Sequence, residues 1–163
     1  MGVVIDANIL NFFIVGLKGQ DLISEEPSVC KNDPEAFPLL GKLFDYSRIV
    51  VISPYILPET SNTLPLDYRP KTGHPFKQPK YLAETLKFLN NDKIQEKYTK
   101  FKELISKDDM GKFGVTDASI IKLARDGYAV VTNDAPLMQY LQNTGNQAMN
   151  IPSLVAQNLL ANL

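Results

Sequence analysis

Asp6, Glu59, Asp117 and Asp134 are acids at positions where an acid needs a reason. Counting three, four and seven residues on from Asp117 gives Ile120, Ile121 and Ala124, so its carboxylate heads the helical stripe that faces the core. Glu59 lies three and four residues after Ile56 and Tyr55, again on an inward-facing side. Asp6 ends the apolar run Val3-Val4-Ile5, and Asp134 follows the apolar run that ends at Thr132. Carboxylates gathered within a few Å repel one another, and burial raises their pKa values further, unless a cation neutralises them. An all-oxygen donor set suits Mg²⁺ or Mn²⁺, one or two ions, which keep water ligands and also bind substrate phosphate.

Each acid also has a plainer explanation. Asp117 suits the first turn of a helix through the helix dipole, Asp134 an N-cap, Asp6 a turn after a strand, and Glu59 a solvated helix face. What favours a shared site is the pattern of elements around them.

Residues 115–134 read as helix, turn and buried strand. Thr116 is placed as the N-cap, Ala118 to Ala124 keep helical spacing, and Gly127 takes the left-handed C-terminal position. Residues 128–132 have no polar alternation, as expected of a parallel strand covered on both faces. Residues 2–6 and 48–52 read the same way, each running directly into a helix, the second begun by Ser53-Pro54. Residues 17–31 are expected to be loop, and Asp33-Pro34 to start a helix with Phe37, Leu40, Leu43 and Phe44 inward. Residues 81–89 and 93–105 are expected to form two helices, the second an addition to the basic fold, with 107–112 a link. A short helix started by Pro136, an edge strand at 148–150 and a closing helix at 152–160 complete the chain.

This alternation predicts a three-layer α/β/α sandwich with a central, mostly parallel sheet, in a single domain over residues 1–163. In such a fold every helix N-terminus lies at the edge where strands end, which brings all four acids to one place.

Composition narrows the chemistry. With 163 residues and a formal net charge of −1, the chain lacks a general electrostatic footprint for nucleic acid, so any such binding needs a local patch or a metal. The patch expected is the Pro-rich segment 64–80, through Arg69, Lys71, Lys77 and Lys80, with Tyr68, Phe76 and Tyr81 offering faces for base stacking. One cysteine, Cys30, excludes an internal disulfide and a Cys-rich zinc site and fits a reducing compartment. Neither a membrane-length apolar run nor a signal-like start is present, so a cytoplasmic protein with no membrane partner is expected. His74 is the only histidine and lies in the Pro-rich segment, against a Ser-His-Asp triad or a histidine metal cluster. No glycine-rich phosphate loop occurs, and the second acid that a haloacid-dehalogenase-type phosphatase needs two residues after the first is here Asn8.

At these residues the sequence resembles the PIN domain family of metal-dependent nucleases, which includes the VapC-type ribonuclease toxins. Val4-Ile-Asp-Ala-Asn8 resembles the family's opening strand and first aspartate, and Ile52-Ser-Pro-Tyr-Ile-Leu-Pro-Glu59 its second strand and glutamate. Thr116-Asp-Ala118 matches the third acidic position, and Val131-Thr-Asn-Asp134 the threonine and last aspartate. The resemblance implies that Asp6, Glu59, Asp117 and Asp134 bind metal, that Asn8 and Thr132 orient carboxylates or water, and that single-stranded RNA is cut to leave a 5′ phosphate. It also implies an antitoxin partner if the chain is a toxin, and admits a homodimer. A catalytically inactive scaffold of the same fold, binding RNA or protein, is the alternative. The chain departs from the compact toxins in the Pro-rich segment, in residues 93–105, and in Pro136, where a further acid often stands.

Overall fold

The computed structural model describes residues 2–64, 80–105 and 108–161. Its strands are β1 (Gly2–Ile5), β2 (Ile49–Ile52), β3 (Ile94–Glu96), β4 (Ala129–Val131) and β5 (Ala148–Met149), all parallel, in the order β3-β2-β1-β4-β5. β1, β2 and β4 are runs of Val, Ile and Ala because both faces are covered; Val4, Ile5, Val51, Val130 and Val131 have no exposed surface.

Helices α1 (Ala7–Lys18), α2 (Leu22–Glu25) and α3 (Ala36–Tyr46) connect β1 to β2, and α4 (Ile56–Thr63) and α5 (Leu82–Leu89) lie between β2 and β3. α6 (Phe101–Ile105) and α7 (Asp109–Arg125) carry the chain from β3 across to β4, followed by α8 (Ala135–Asn143) and, after β5, α9 (Ile151–Ala161). α1 packs on α2, α3, α4 and α5, and α3 on α9, while α7 packs on α6 and α8. The two groups of helices flank the sheet as the outer layers of a three-layer α/β/α sandwich. Among the described residues no helix is long and apolar enough to cross a membrane.

Phe13 of α1 is the hub of one layer, edge-on to Phe44 of α3 at 4.7 Å and to Phe88 of α5 at 5.4 Å between ring centroids. Gly16 lets α3 approach: a Cβ there would lie 2.3 Å from the Phe37 ring. On the other layer α7 is broken at Gly114, whose φ of 83° and ψ of 176° are non-helical. Asp109, before the break, is buried and accepts hydrogen bonds from Arg125 and from Tyr140 Oη at 2.7 Å. The turn ahead of the break is thereby tied to the far end of α7 and to α8.

Four local expectations change. Residues 93–105 are not one helix, since Ile94–Glu96 pairs in register with Val50–Ile52 and only Phe101–Ile105 is helical. The apolar β2 would otherwise present an open edge, and pairing outweighs the helical spacing of Ile94, Tyr98, Phe101 and Ile105. Thr116 is not an N-cap, because helical structure already begins at Asp109 and restarts past Gly114. For the same reason 107–112 is not simply a link, Asp109 onward being helical. The expected loop at 17–31 contains α2.

Candidate functional site

From β1 the chain leaves toward β2 on one side of the sheet, and from β4 toward β5 on the other. Neighbouring parallel strands whose connections diverge leave a crevice at their C-terminal ends, where ligands of open α/β sheets bind. Asp6 follows β1 and Asp134 follows β4, so both acids stand at this crevice.

Asp6 is the N-cap of α1 and is 4 % exposed. Its Oδ1 accepts from Ala7 N at 2.6 Å, and its Oδ2 accepts from Asn8 Nδ2 and from Thr132 Oγ1, each at 2.6 Å. Burial raises its pKa; the hydrogen bonds from Thr132 and Ala7 act against that, and the charges of Glu59 and Asp134 add to it. Thr132, fully buried, also accepts from Asp134 N at 2.9 Å, so one hydroxyl joins the two strand-end acids. Asn8 Oδ1 accepts from Asn133 N at 3.0 Å, linking the start of α1 to the residue before Asp134. Asn8 and Thr132 both donate to Asp6.

Asp134 is the N-cap of α8, with Oδ1 accepting from Leu137 N at 2.7 Å. That bond uses one oxygen, so capping and a second role coexist. Asp117 sits in the turn that follows Gly114, half-buried, and among the described residues no donor reaches its carboxylate. Its pKa is pushed up to about 7, first by burial and then by the charges of Asp6, Asp134 and Glu59. Three other carboxylates therefore act on this one.

Glu59 departs from expectation, being exposed while its neighbour Thr60 is buried. Ser53, Pro54 and Tyr55 form a turn, with Ser53 O accepting from Ile56 N, and the regular helix starts only at Ile56, which rotates Glu59 outward. Its charge still adds to the raised pKa values of Asp6 and Asp117.

Sequence reasoning missed Ser53 and Ser119. Both are fully buried; Ser119 Oγ donates to Thr116 O at 2.6 Å and lies 2.7 Å from Ser53 Oγ, pinning the start of the Asp117 helix to the end of β2. Part of their signal was available, since Ser53 directly follows the apolar run 49–52 and Ser119 directly precedes Ile120-Ile121. Asn133 was also missed: it donates to Asn32 Oδ1 at 2.7 Å and accepts from Ile151 N at 3.0 Å, tying α9 to this edge.

The basic segment fares differently. Arg69, Lys71 and Lys77, with Tyr68 and Phe76, lie outside the described residues. Lys80, exposed, is ion-paired with Glu26 at 3.2 Å and stands 4.9 Å from the Tyr81 ring centre. Tyr81 is no stacking face: it has no exposed surface, and its hydroxyl donates to Glu26 at 2.6 Å.

Among the described residues no three acidic, His or Cys side chains are arranged to hold a metal ion as they stand. The donor set itself suits a hard cation, being carboxylate oxygens only, with Asp117 raised by its neighbours' charge. Thr132→Val removes a donor from Asp6 and the acceptor of Asp134 N. Loss of such supporting hydrogen bonds weakens metal affinity by about 10- to 100-fold, which a Mn²⁺ titration would register. Unchanged affinity would remove Thr132 from the site.

No protein-family model matches the chain, and no curated protein matches it.

Proposed function

We propose that the chain is a Mg²⁺- or Mn²⁺-dependent endoribonuclease of PIN type that hydrolyses phosphodiester bonds of single-stranded RNA, with Asp6, Glu59, Asp117 and Asp134 as metal-binding and catalytic acids. The observation that carries this reading is the placement of Asp6 and Asp134 at the sheet's switch point, both bonded to the Thr132 hydroxyl, with the pKa of half-buried Asp117 raised by burial and then by their charges and that of Glu59. A bound divalent ion supplies an acidified water and neutralises charge on the phosphate. The chain's own part is to place the acids. Thr132, Asn8 and Ala7 N hold Asp6, the α8 cap holds Asp134, and the Ser53–Ser119 pair holds the turn carrying Asp117. Burial and then the charges of Asp6, Asp134 and Glu59 raise the Asp117 pKa to about 7, and a bound cation would act against that shift. No protein nucleophile is required. The reading carries with it a cytoplasmic location, and, if the chain is a toxin, an antitoxin partner and a homodimer.

Adding Mn²⁺ at 100 times its Kd stabilises the protein by about 2.7 kcal/mol. For a chain of this size that raises Tm by roughly 5 to 11 °C. Asp6→Asn combined with Asp134→Asn should remove the rise, and a rise that survives both substitutions would put the metal elsewhere.

One observation favours a second reading, a non-catalytic scaffold: among the described residues no three acids are arranged to hold a metal as they stand. A Tm that does not respond to Mn²⁺, together with binding of RNA that is never cut, would establish it.

A further inference from the structure

A crevice of acids repels a polyanion, a net charge of −1 does not offset that, and Lys80 is engaged by Glu26. A substrate strand would need a holding surface near the crevice, and among the described residues one stretch combines the chemistry for it. Residues 97–102, Lys-Tyr-Thr-Lys-Phe-Lys, interleave lysines with aromatic rings directly after β3. Tyr98 is 68 % exposed and Phe101 51 %, unusual for rings of this size. Tyr98 is backed by Tyr55, with ring centres 6.4 Å apart and planes 29° from parallel. Tyr55 is fixed in turn, donating from its hydroxyl to Thr99 O at 3.1 Å, and Thr99 is buried.

We propose that the Tyr55-backed Tyr98 ring and Phe101, flanked by Lys100 and Lys102, form a stacking platform for bases of a single-stranded RNA whose backbone runs on toward the acid crevice. This rests on the ribonuclease reading and names the path of its substrate.

Location supports it. All strands are parallel, so Tyr98 beyond β3 and Tyr55 beyond β2 share the sheet edge of Asp6 beyond β1. β3 and β1 are separated by one strand, so the platform lies about 10 Å along the edge from Asp6 at ordinary strand spacing. Ser53, two residues before Tyr55, is the residue bonded to Ser119 beside Asp117, which ties platform and crevice to one rigid turn. Charge plays a secondary part. Lys97 is placed over the Tyr128 ring at 5.5 Å, Glu96 and Glu103 flank the segment, and Lys100 and Lys102 are exposed. Stacking on a fixed ring is what remains to supply affinity, and it is tolerant of sequence because every base has a π face. Lysine and aromatic side chains on a protein-binding surface would lack this dependence on a flat ring.

The test is binding of a fluorescein-labelled twelve-nucleotide oligo(A) RNA followed by anisotropy in EDTA, so that hydrolysis does not enter. Tyr98→Ala and Tyr98→Leu should each weaken binding about 5- to 100-fold, the range expected for loss of one base–aromatic stack. Tyr98→Phe should bind as the unaltered protein does. Lys100→Ser with Lys102→Ser should flatten the dependence of log affinity on log salt by about 1.4, at about 0.7 per contact. Equal binding by the Ala, Leu and Phe variants, or no binding by the unaltered protein, overturns the platform. A protein that cuts RNA with Mn²⁺ yet binds it equally with Tyr98→Ala loses the platform and keeps the ribonuclease reading. One that loses binding with Tyr98→Ala yet cuts nothing with Mn²⁺ keeps the platform and loses the hydrolysis.

Discussion

Asp117→Asn should stabilise the metal-free protein at pH 8 by roughly 2 kcal/mol, although it deletes a residue of the proposed site. The Asp117 carboxyl titrates near 7 in the folded protein against 3.8 when unperturbed, so the folded state holds the proton more tightly than the unfolded state. Below about pH 4 both states are protonated and the group has no effect on stability. Between about pH 4 and 7 the unfolded state has lost the proton while the folded state keeps it, so stability falls as pH rises, and above 7 the full penalty is present. At about 1.4 kcal/mol per tenfold change in proton affinity the unscreened penalty would be about 4.5 kcal/mol, and solvent screening of a half-buried group reduces it to roughly 2 kcal/mol. Asn has the same shape and cannot ionise. Urea unfolding at pH 4 and pH 8 would show the variant gaining on the unaltered protein only at the higher pH. Saturating Mn²⁺ should reverse the order, because only the carboxylate gains from the cation. A variant less stable than the unaltered protein at pH 8 without metal would mean that Asp117 is not held against like charge.

The same substitution should lower RNA cleavage by about 100- to 1,000-fold, the range seen when one preorganised electrostatic group is removed from a site. Its fold should be intact, since no hydrogen bond among the described residues depends on the Asp117 carboxylate. Single-turnover cleavage at saturating Mn²⁺ separates lost catalysis from lost metal binding. If the variant is restored to full rate simply by more Mn²⁺, Asp117 helps to bind the ion and does little afterward. If it cuts normally at low Mn²⁺, it has no part in the reaction. A more stable but inactive variant is the signature of a site whose strain is relieved only by its ligand.

The layer architecture was legible because β1, β2 and β4 are uninterrupted apolar runs, each next to a segment with helical spacing. The placement of Asp6 and Asp134 beyond neighbouring strands β1 and β4 followed from that topology without knowledge of strand order, since parallel strands put their ends at one edge. Ile94–Glu96 was not legible: it is short, half polar, and becomes a strand only because β2 has an edge to be covered. The outward turn of Glu59 depends on a helix that starts at Ile56 rather than Ser53, a boundary of one turn that spacing alone does not fix. Tyr81 was misplaced for a related reason. Its position next to a basic, Pro-rich segment suggested a surface, whereas its ring is fully buried in the core and its hydroxyl donates to Glu26.

The most direct measurement of the central claim is incubation of the purified protein with a panel of single-stranded RNAs and Mn²⁺, with the product ends mapped. Hydrolysis by a water attacking in line should leave 5′ phosphates, stop on addition of EDTA, and vanish with Asp117→Asn. Absence of cutting across that panel and a matching DNA panel, or cutting that persists in EDTA, would contradict it.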